Sequence, residues 1–176
     1  MRLIGLFATS LLMLVSLPAS AQTFGSPIPG MCLLSRMGAI SASRAGQSMQ
    51  VQLRQMQTSL NGELAQRRAS LDRERQALEA RQSGIAPIEF QRQLAALNQR
   101  AQGIEQQQNA RFIAAQTRGQ QQIDRALNDA LSRVITRSAC SVVMERDHAY
   151  GWNNAMDITG AAAREMDSVL QNIVLQ

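Results

Sequence analysis

The stretch Ser83-Gly84-Ile85-Ala86-Pro87 separates two long segments in which helix-breaking residues are scarce. Residues 41–83 contain no proline and only two glycines, and residues 87–137 have proline only at their first position. Proline is tolerated there because the first turn of a helix leaves its N–H groups without partners anyway. We therefore predict two helices of roughly 40 and 50 residues, about 60 and 75 Å long, joined as an antiparallel hairpin by a tight turn near residues 83–87.

The spacing of the apolar residues predicts that the two helices pack along a coiled-coil seam. The residues of the first helix with this spacing are Met49, Leu53, Met56, Leu60, Leu64, Leu71, Leu78 and Ile85. Those of the second helix are Phe90, Leu94, Leu97, Ala101, Ile104, Ile123, Leu127 and Val134. A heptad seam needs apolar side chains at alternating steps of three and four, but polar side chains occupy several complementary positions, namely Arg67, Glu74, Arg81, Gln108 and Arg111. Arginine stems can cover apolar surface, so we expect a seam that is partly closed and less rigid than an all-leucine zipper.

The flanks of the hairpin predict a small body. Residues 31–34 and 140–145 are short apolar runs typical of strands, and residues 149–152 suggest a third strand. A last amphipathic helix is expected to run to the end of the chain, with Met166, Val169, Leu170 and Ile173 on its buried face. The hairpin returns its two ends to one place, so the three strands can pair there.

These elements predict a mainly α fold: a long antiparallel coiled-coil hairpin that projects from a small three-stranded β body with a C-terminal helix. So small a body has little core of its own and commonly depends on a disulfide or on oligomerisation. The predicted parts are a signal peptide at 1–21, a linker at 22–30, the body at 31–40 and 138–176, and the arm at 41–137.

The first residues predict export. Arg2 precedes an apolar run at residues 3–17, and the small residues 18–21 form a cleavage site that would be cut after Ala21. The alternative is a single membrane anchor, but the apolar run is shorter than the roughly 20 residues that a membrane-spanning helix needs. We predict a cleaved secretory signal peptide.

The charge of the chain is uneven and rests on arginine alone, since lysine is absent. Residues 44–137 carry 14 arginines and eight acidic residues, a net charge of +6, whereas residues 138–176 have a net charge of −3. A basic segment in a cytosolic protein would point to nucleic acid, which export argues against. We expect anionic partners outside the cytoplasm instead, either unfolded acidic polypeptides or lipid headgroups.

Two cysteines, Cys32 and Cys140, remain after signal cleavage. An even number of cysteines in an oxidising compartment is compatible with a disulfide, which would close a loop of about 108 residues. The alternative is that both are small buried residues of the body, which is common for cysteine. The sequence leaves both possibilities open.

The sequence contains no recognisable catalytic, cofactor or metal site. Its one histidine, His148, lies near Glu145 and Asp147, but no second histidine or suitably spaced cysteine pair completes a set of metal ligands. We interpret His148 as a solvated turn residue. No phosphate-binding loop or nucleophile motif is present, so we expect a protein that is not an enzyme.

The arms carry the functional signal. Their basic, half-apolar surface suits weak contacts summed over an extended polypeptide rather than one deep pocket. The candidate client-binding residues are Arg67, Arg81, Arg111, Arg118, Arg125, Leu71, Leu78, Leu97 and Ile104.

The order of elements resembles that of the Skp/OmpH family, with a signal peptide, a short strand, a long helical hairpin, further strands and a closing helix. The sharpest match is Ser141-Val142-Val143, Ala149-Tyr150-Gly151 and Met156-Asp157-Ile158-Thr159, which resemble the family's valine-rich strand, its Ala-Tyr strand and the Asp-Ile-Thr stretch before the last helix. The segments at 31–34 and 37–40 match more loosely. The chain departs from familiar members in having arginine in place of lysine on its arms, and Ser35-Arg36 where the family more usually has Asn or Asp.

The resemblance implies a homotrimer with three helical tentacles around a cavity. It also implies an ATP-independent periplasmic holdase that binds unfolded outer-membrane proteins and prevents their aggregation, with anionic lipid or lipopolysaccharide as further partners. The alternative is a structural or adaptor coiled coil of a periplasmic envelope assembly, although such adaptors usually carry larger flanking β domains. A β-barrel resident in the outer membrane would need alternating strands, which the arms lack.

Overall fold

The computed structural model describes residues 24–175, and the predicted signal peptide and its cleavage site lie outside them. The strands are β1 (Met31–Leu34) and β2 (Val142–Glu145). The helices are α1 (Arg36–Ala42), α2 (Arg44–Glu79), α3 (Pro87–Arg137) and α4 (Thr159–Val169). The chain is therefore mainly helical, and α2 and α3 account for most of it.

The start of the first long helix differs from the prediction. A helix begins at Arg36 instead of residue 41, and Ser43 interrupts it with an extended backbone (φ −77°, ψ 152°). The buried Ser43 hydroxyl accepts a hydrogen bond from the Gly46 N–H at 3.1 Å and donates one to the Ile40 carbonyl at 2.7 Å. A Cβ at Gly46 would lie 1.9 Å from the Ile40 carbonyl oxygen, so this close approach requires glycine. The break assigns α1 to the body and leaves α2 to the arm.

The two long helices run in opposite directions on either side of the predicted turn. Helix α2 ends at Glu79, a short 3-10 turn follows at Gln82–Gly84, and α3 begins with Pro87. Ion pairs between the two helices join residues whose numbers rise along α2 and fall along α3: Glu63–Arg111, Arg68–Glu105 and Glu74–Arg100. Pairing in this order is that of two antiparallel helices.

Among residues 24–175 the sheet has two strands and not the predicted three. Strands β1 and β2 pair in parallel, with Met31 opposite Val142 and Leu34 opposite Glu145. The segment at 149–152, predicted to be a third strand, has no regular secondary structure, because its neighbourhood pairs with the N-terminal residues: Phe24 N–H donates to the Trp152 carbonyl at 3.3 Å, and Asn153 donates to the Gly25 carbonyl at 2.8 Å.

The other side of β1 is covered by one bridge. Leu33 bridges Asp157, and the Ile158 N–H donates to the Leu33 carbonyl at 2.9 Å. Helix α4 begins directly afterwards and packs against α1 and α3. It ends at Val169 and does not continue through residue 173 as predicted. The residues after it lie along the arm.

Cys32 and Cys140 form a disulfide that links β1 to the residues just after α3. Helix α3 ends in a tight turn in which Ala139 has φ +51° and the Cys140 N–H donates to the Ile135 carbonyl at 3.1 Å. This is the hydrogen-bonding pattern of a Schellman C-cap, which turns the chain sharply away from the helix axis. The turn brings Cys140 beside β1, and the bridge then joins both ends of the hairpin to the sheet.

The apolar core consists of two clusters at opposite ends of the hairpin. The larger one lies in the body and the base of the arm, where Ile123, Leu127, Val134 and Met166 are at most 1 % exposed. The smaller one, at the tip, contains Leu78, Phe90 and Leu97, with Leu71, Ile85 and Leu94 packed against it. Full burial of an aliphatic side chain contributes about 1.5–3 kcal/mol, so the larger cluster dominates the stability of the fold. Between the clusters the seam is mixed, with Leu60 and Gln108 buried and Leu64 and Ile104 half-buried.

Candidate functional site

The middle of the arm is held by polar contacts. Gln108 is buried between the helices and donates to the Glu63 carboxylate at 3.2 Å, while Arg111 donates to the same carboxylate at 2.9 Å. These two hydrogen bonds, first that of Gln108 and then that of Arg111, hold the pKa of Glu63 below its usual value. The carboxylate therefore stays ionised and serves as a structural contact rather than as an acid.

The five arginines predicted to bind clients fall into two groups. Arg81 donates to the Ala77 carbonyl of its own helix, Arg111 pairs with Glu63, and Arg118 donates to a main-chain carbonyl after α4. Within residues 24–175, Arg67 and Arg125 are exposed and make neither an ion pair nor a hydrogen bond through their side chains. These two guanidinium groups have no side-chain partner there, although the charge of Arg67 also helps to lower the pKa of Glu63.

The four apolar residues predicted to bind clients lie in or near the seam between the helices. Leu78 and Leu97 are buried in the tip cluster at 2 % and 8 % exposure. Leu71 and Ile104 are half-buried. A client can contact the first pair only where the two helices separate, whereas the half-buried pair is partly accessible in the closed arm.

The outward apolar residues of the arm are ones that the heptad pattern missed. Ile88 is 74 % exposed, Ile113 is 61 % exposed and Val51 is 44 % exposed. All three lie off the seam spacing, and that offset is the sequence signal that could have identified them. Single exposed apolar side chains are ordinary on protein surfaces. On this arm they add isolated apolar contacts to an otherwise polar surface.

A groove of about 800 Å³ runs between α2 and α3 near the base of the arm. It is open to solvent, and its lining mixes amide, hydroxyl, aliphatic and guanidinium groups. The residues that line it are Gln52, Gln55, Met56, Ser59, Leu60, Glu63, Gln107, Ala110, Arg111, Ala114, Arg118 and Leu175. Of the predicted client-binding residues, the groove brings together Arg111 and Arg118.

A second polar cluster closes the body. Arg146 lies 5.3 Å from the centroid of the Trp152 ring and donates to Asp157 at 2.7 Å and to Asp147 at 3.2 Å. The Ser35 hydroxyl donates to Asp147 at 2.6 Å, and this bond is the main reason why the pKa of Asp147 is lowered. Contacts with both carboxylates raise the pKa of Arg146. The cluster connects the end of β1 to the start of α4.

Two opposing effects act on the pKa of Asp157 in this cluster. Burial tends to raise its pKa, but hydrogen bonds from Thr159 and Arg146 outweigh burial and leave the pKa below its ordinary value. His148, which follows Asp147 in the chain, is exposed in the 3-10 turn at Arg146–His148. Among residues 24–175, histidine, cysteine and acidic side chains nowhere form a group of three that could hold a metal ion. In the same part of the chain, no helix is both long and apolar enough to cross a bilayer.

Comparisons with known proteins bear on the whole of this architecture. The family model described as "Outer membrane protein (OmpH-like)" matches residues 32–166. A 2.83 Å crystal structure from Caulobacter crescentus CB15, of a protein described provisionally as an outer membrane chaperone (OmpH-like), matches with a TM-score of 0.75 and 26 % identity. The match covers 89 % of this chain and 95 % of that one. No curated protein matches significantly.

Proposed function

The chain belongs to the OmpH-like family, whose chaperones are periplasmic and generally non-enzymatic, and from that premise we propose that it is an ATP-independent holdase. Its clients are unfolded outer-membrane proteins, which it binds after export and keeps from aggregating. Binding alone drives this activity, since no nucleotide motif occurs in the sequence.

One observation carries the proposal: exposed ion pairs join the two helices along the arm, beside a seam that is only half-buried at Leu64 and Ile104. The Arg68–Glu105 and Arg100–Glu74 pairs have side chains about half exposed. Ion pairs of this kind contribute only about 0–1 kcal/mol each, so exchanging them for contacts with a client costs little. Many weak contacts along a long arm add up to useful retention, while each one breaks quickly enough for release.

The client-binding residues proposed for the arm follow from its exposure. Arg67 and Arg125 contact anionic groups of the client, and the half-buried Leu71 and Ile104 contact its apolar side chains. The buried Leu78 and Leu97 contribute where the tip opens. The same exposed arginines also contact anionic lipid or lipopolysaccharide, and sedimentation with phosphatidylglycerol vesicles against phosphatidylcholine vesicles tests that part.

The proposed assembly is a homotrimer joined through the body. Strand β2 pairs with β1 on one side only, and it exposes Val142 at 46 % and Met144 at 51 %. Two further large side chains of the body, Tyr150 and Met37, are exposed at 109 % and 70 %. An unpaired strand edge with exposed apolar side chains is suited to association with other copies. Light scattering should give three times the protomer mass, and Met144→Arg should reduce the mass.

The holdase activity is tested by diluting a denatured porin out of urea with and without this protein, in the absence of nucleotide. Turbidity should be suppressed at roughly stoichiometric amounts and should return in high salt, which screens the exposed charges. An unchanged turbidity trace would exclude the proposal. Capture of one stoichiometric partner from periplasmic extract, in place of several barrel proteins, would favour the adaptor alternative.

A further inference from the structure

The residues that follow α4 are bound to the arm as an extended peptide. This tail segment (residues 170–175) leaves the helix at Leu170, whose backbone is extended (φ −148°, ψ 119°). Ile173 and Leu175 are buried at 3 % and 6 % exposure, while Val174 between them is 63 % exposed. Alternation of this kind is the mark of an extended chain that turns one face to a surface. The surface here is formed by α2 and α3 at the base of the arm.

The arm holds the tail segment through its backbone. Gln52 donates a hydrogen bond to the Ile173 carbonyl at 2.9 Å, and Arg118 donates one to the Leu175 carbonyl at 2.8 Å. Gln122 donates to the Val174 carbonyl at 2.6 Å and accepts from the Val174 N–H at 3.0 Å. The Gln122 amide thus pairs with both polar groups of one residue, as a neighbouring strand would. Backbone groups are common to all sequences, so hydrogen bonds of this kind can bind peptides of many different sequences.

The side chains of the tail segment fill space that a small residue leaves open. A Cβ at Gly119 would lie 2.8 Å from Leu175 Cδ2 and 3.3 Å from Ile173 Cδ1. The arm therefore binds the tail segment through hydrogen bonds to its backbone and through apolar contacts with its side chains. Those two features together suit an extended apolar peptide.

The same kind of surface continues past Leu175 without an occupant from the described chain. Gln52 and Arg118, which hold the tail segment, also line the groove at the base of the arm, together with Leu175 itself. Further toward the tip, the groove is lined by two more glutamines, Gln55 and Gln107, beside aliphatic side chains. The α2 residues along it, 52–63, rise about 16 Å, which is the length of about five extended residues.

We propose that this groove binds an extended, largely apolar segment of a client polypeptide, end to end with the tail segment and by the same backbone recognition. The proposal rests on the proposed function and names the site and the client conformation. The charge of Glu63 in the groove is compatible with it, because the Arg111 guanidinium compensates the carboxylate and the Gln108 amide donates a hydrogen bond to it. The Gln55 and Gln107 amides supply the backbone contacts, and Met56, Leu60, Ala110 and Ala114 supply the apolar ones.

Fluorescence anisotropy with the full-length mature protein tests the inference. The probe is a fluorescein-labelled peptide that repeats Asn-Ile-Val-Leu twice, the sequence observed at residues 172–175. Ala110→Trp fills the groove and should weaken binding at least about tenfold, whereas Ala95→Trp, on an exposed α3 position outside it, should leave binding unchanged. The pair Gln55→Ala and Gln107→Ala, which adds no bulk, should also weaken binding.

The outcomes are distinct. Equal binding by wild type and Ala110→Trp would overturn the inference, and loss of binding only in Gln122→Ala would overturn it in favour of displacement of the tail segment. If Ala110→Trp suppresses porin aggregation and binds the peptide as wild type does, the groove is excluded while the holdase function stands. If wild type itself fails to suppress aggregation, the proposed function fails independently of the peptide result.

Discussion

The disulfide between Cys32 and Cys140 should be a large single contributor to the stability of this protein. It closes a loop of 108 residues, which contains the entire arm. The loop-entropy relation assigns such a closure about 4.8 kcal/mol at 25 °C, because the cross-link removes conformational freedom from the unfolded chain. With a denaturant slope of about 2 kcal/mol per molar, breaking the bond should lower the urea midpoint by about 2.4 M.

The measurement is urea unfolding followed by circular dichroism, with oxidised and dithiothreitol-reduced protein compared. Reduction keeps both sulfur atoms in place, so it separates the cross-link from the packing of the half-buried Cys140 and the buried Cys32. The double variant Cys32→Ala and Cys140→Ala is the control, and reductant should not change its midpoint. Each comparison is repeated over a range of protein concentrations, since self-association also stabilises the folded state. Midpoints within about 0.3 M of each other for oxidised and reduced protein would refute the loop argument.

Three further predictions use matched variants or conditions. Leu127→Ala should lower the free energy of unfolding by about 2–5 kcal/mol because Leu127 is fully buried. Ile113→Ala, at an exposed site, should change this free energy by less than about 0.5 kcal/mol. Urea unfolding measures both. Gly46→Ala should lower the thermal midpoint, with a loss of about 1–3 kcal/mol in the free energy of unfolding, because the new Cβ would lie 1.9 Å from a backbone oxygen. The control Gly62→Ala has open space around it and should raise the midpoint by the equivalent of about 0.5–1 kcal/mol. The pKa of Asp157 is held below its ordinary 3.8, so the ionised carboxylate stabilises the folded protein fully above that pH. This stabilisation is lost as the pH falls through the folded-state pKa. The urea midpoint should therefore decline less steeply on acidification in Asp157→Asn than in wild type.

The long helices were predictable because helix formation is local. The break at residues 83–87 and Pro87 at the start of α3 are both present in the structure. The break at Ser43 was missed, although serine is among the preferred N-cap residues and could have been recognised as one. Such a signal shows that a cap is available, but only the packing of α1 against α4 makes its use favourable.

The candidate site divides in the same way. The arginines could be placed on the arm from the sequence, but which of them are free could not, since Arg118 is engaged by a residue 57 positions away. The apolar candidates Leu78 and Leu97 lie buried in the tip cluster between the two helices, a burial that the sequence did not reveal. Periodicity identifies a face of a helix, and it does not tell whether another helix already covers that face.

The sequence by itself determined the two long helices, the turn between them and the apolar spacing of their seam, because these depend on interactions within a few residues. Only the tertiary structure decided that the body has a two-stranded parallel sheet, that Cys32 meets Cys140, and that residues 170–175 lie extended along the arm. Each of these joins segments far apart in the chain. Their partners are selected by competition between alternative backbone pairings of similar local propensity, and that competition is resolved only when the hairpin brings the segments together.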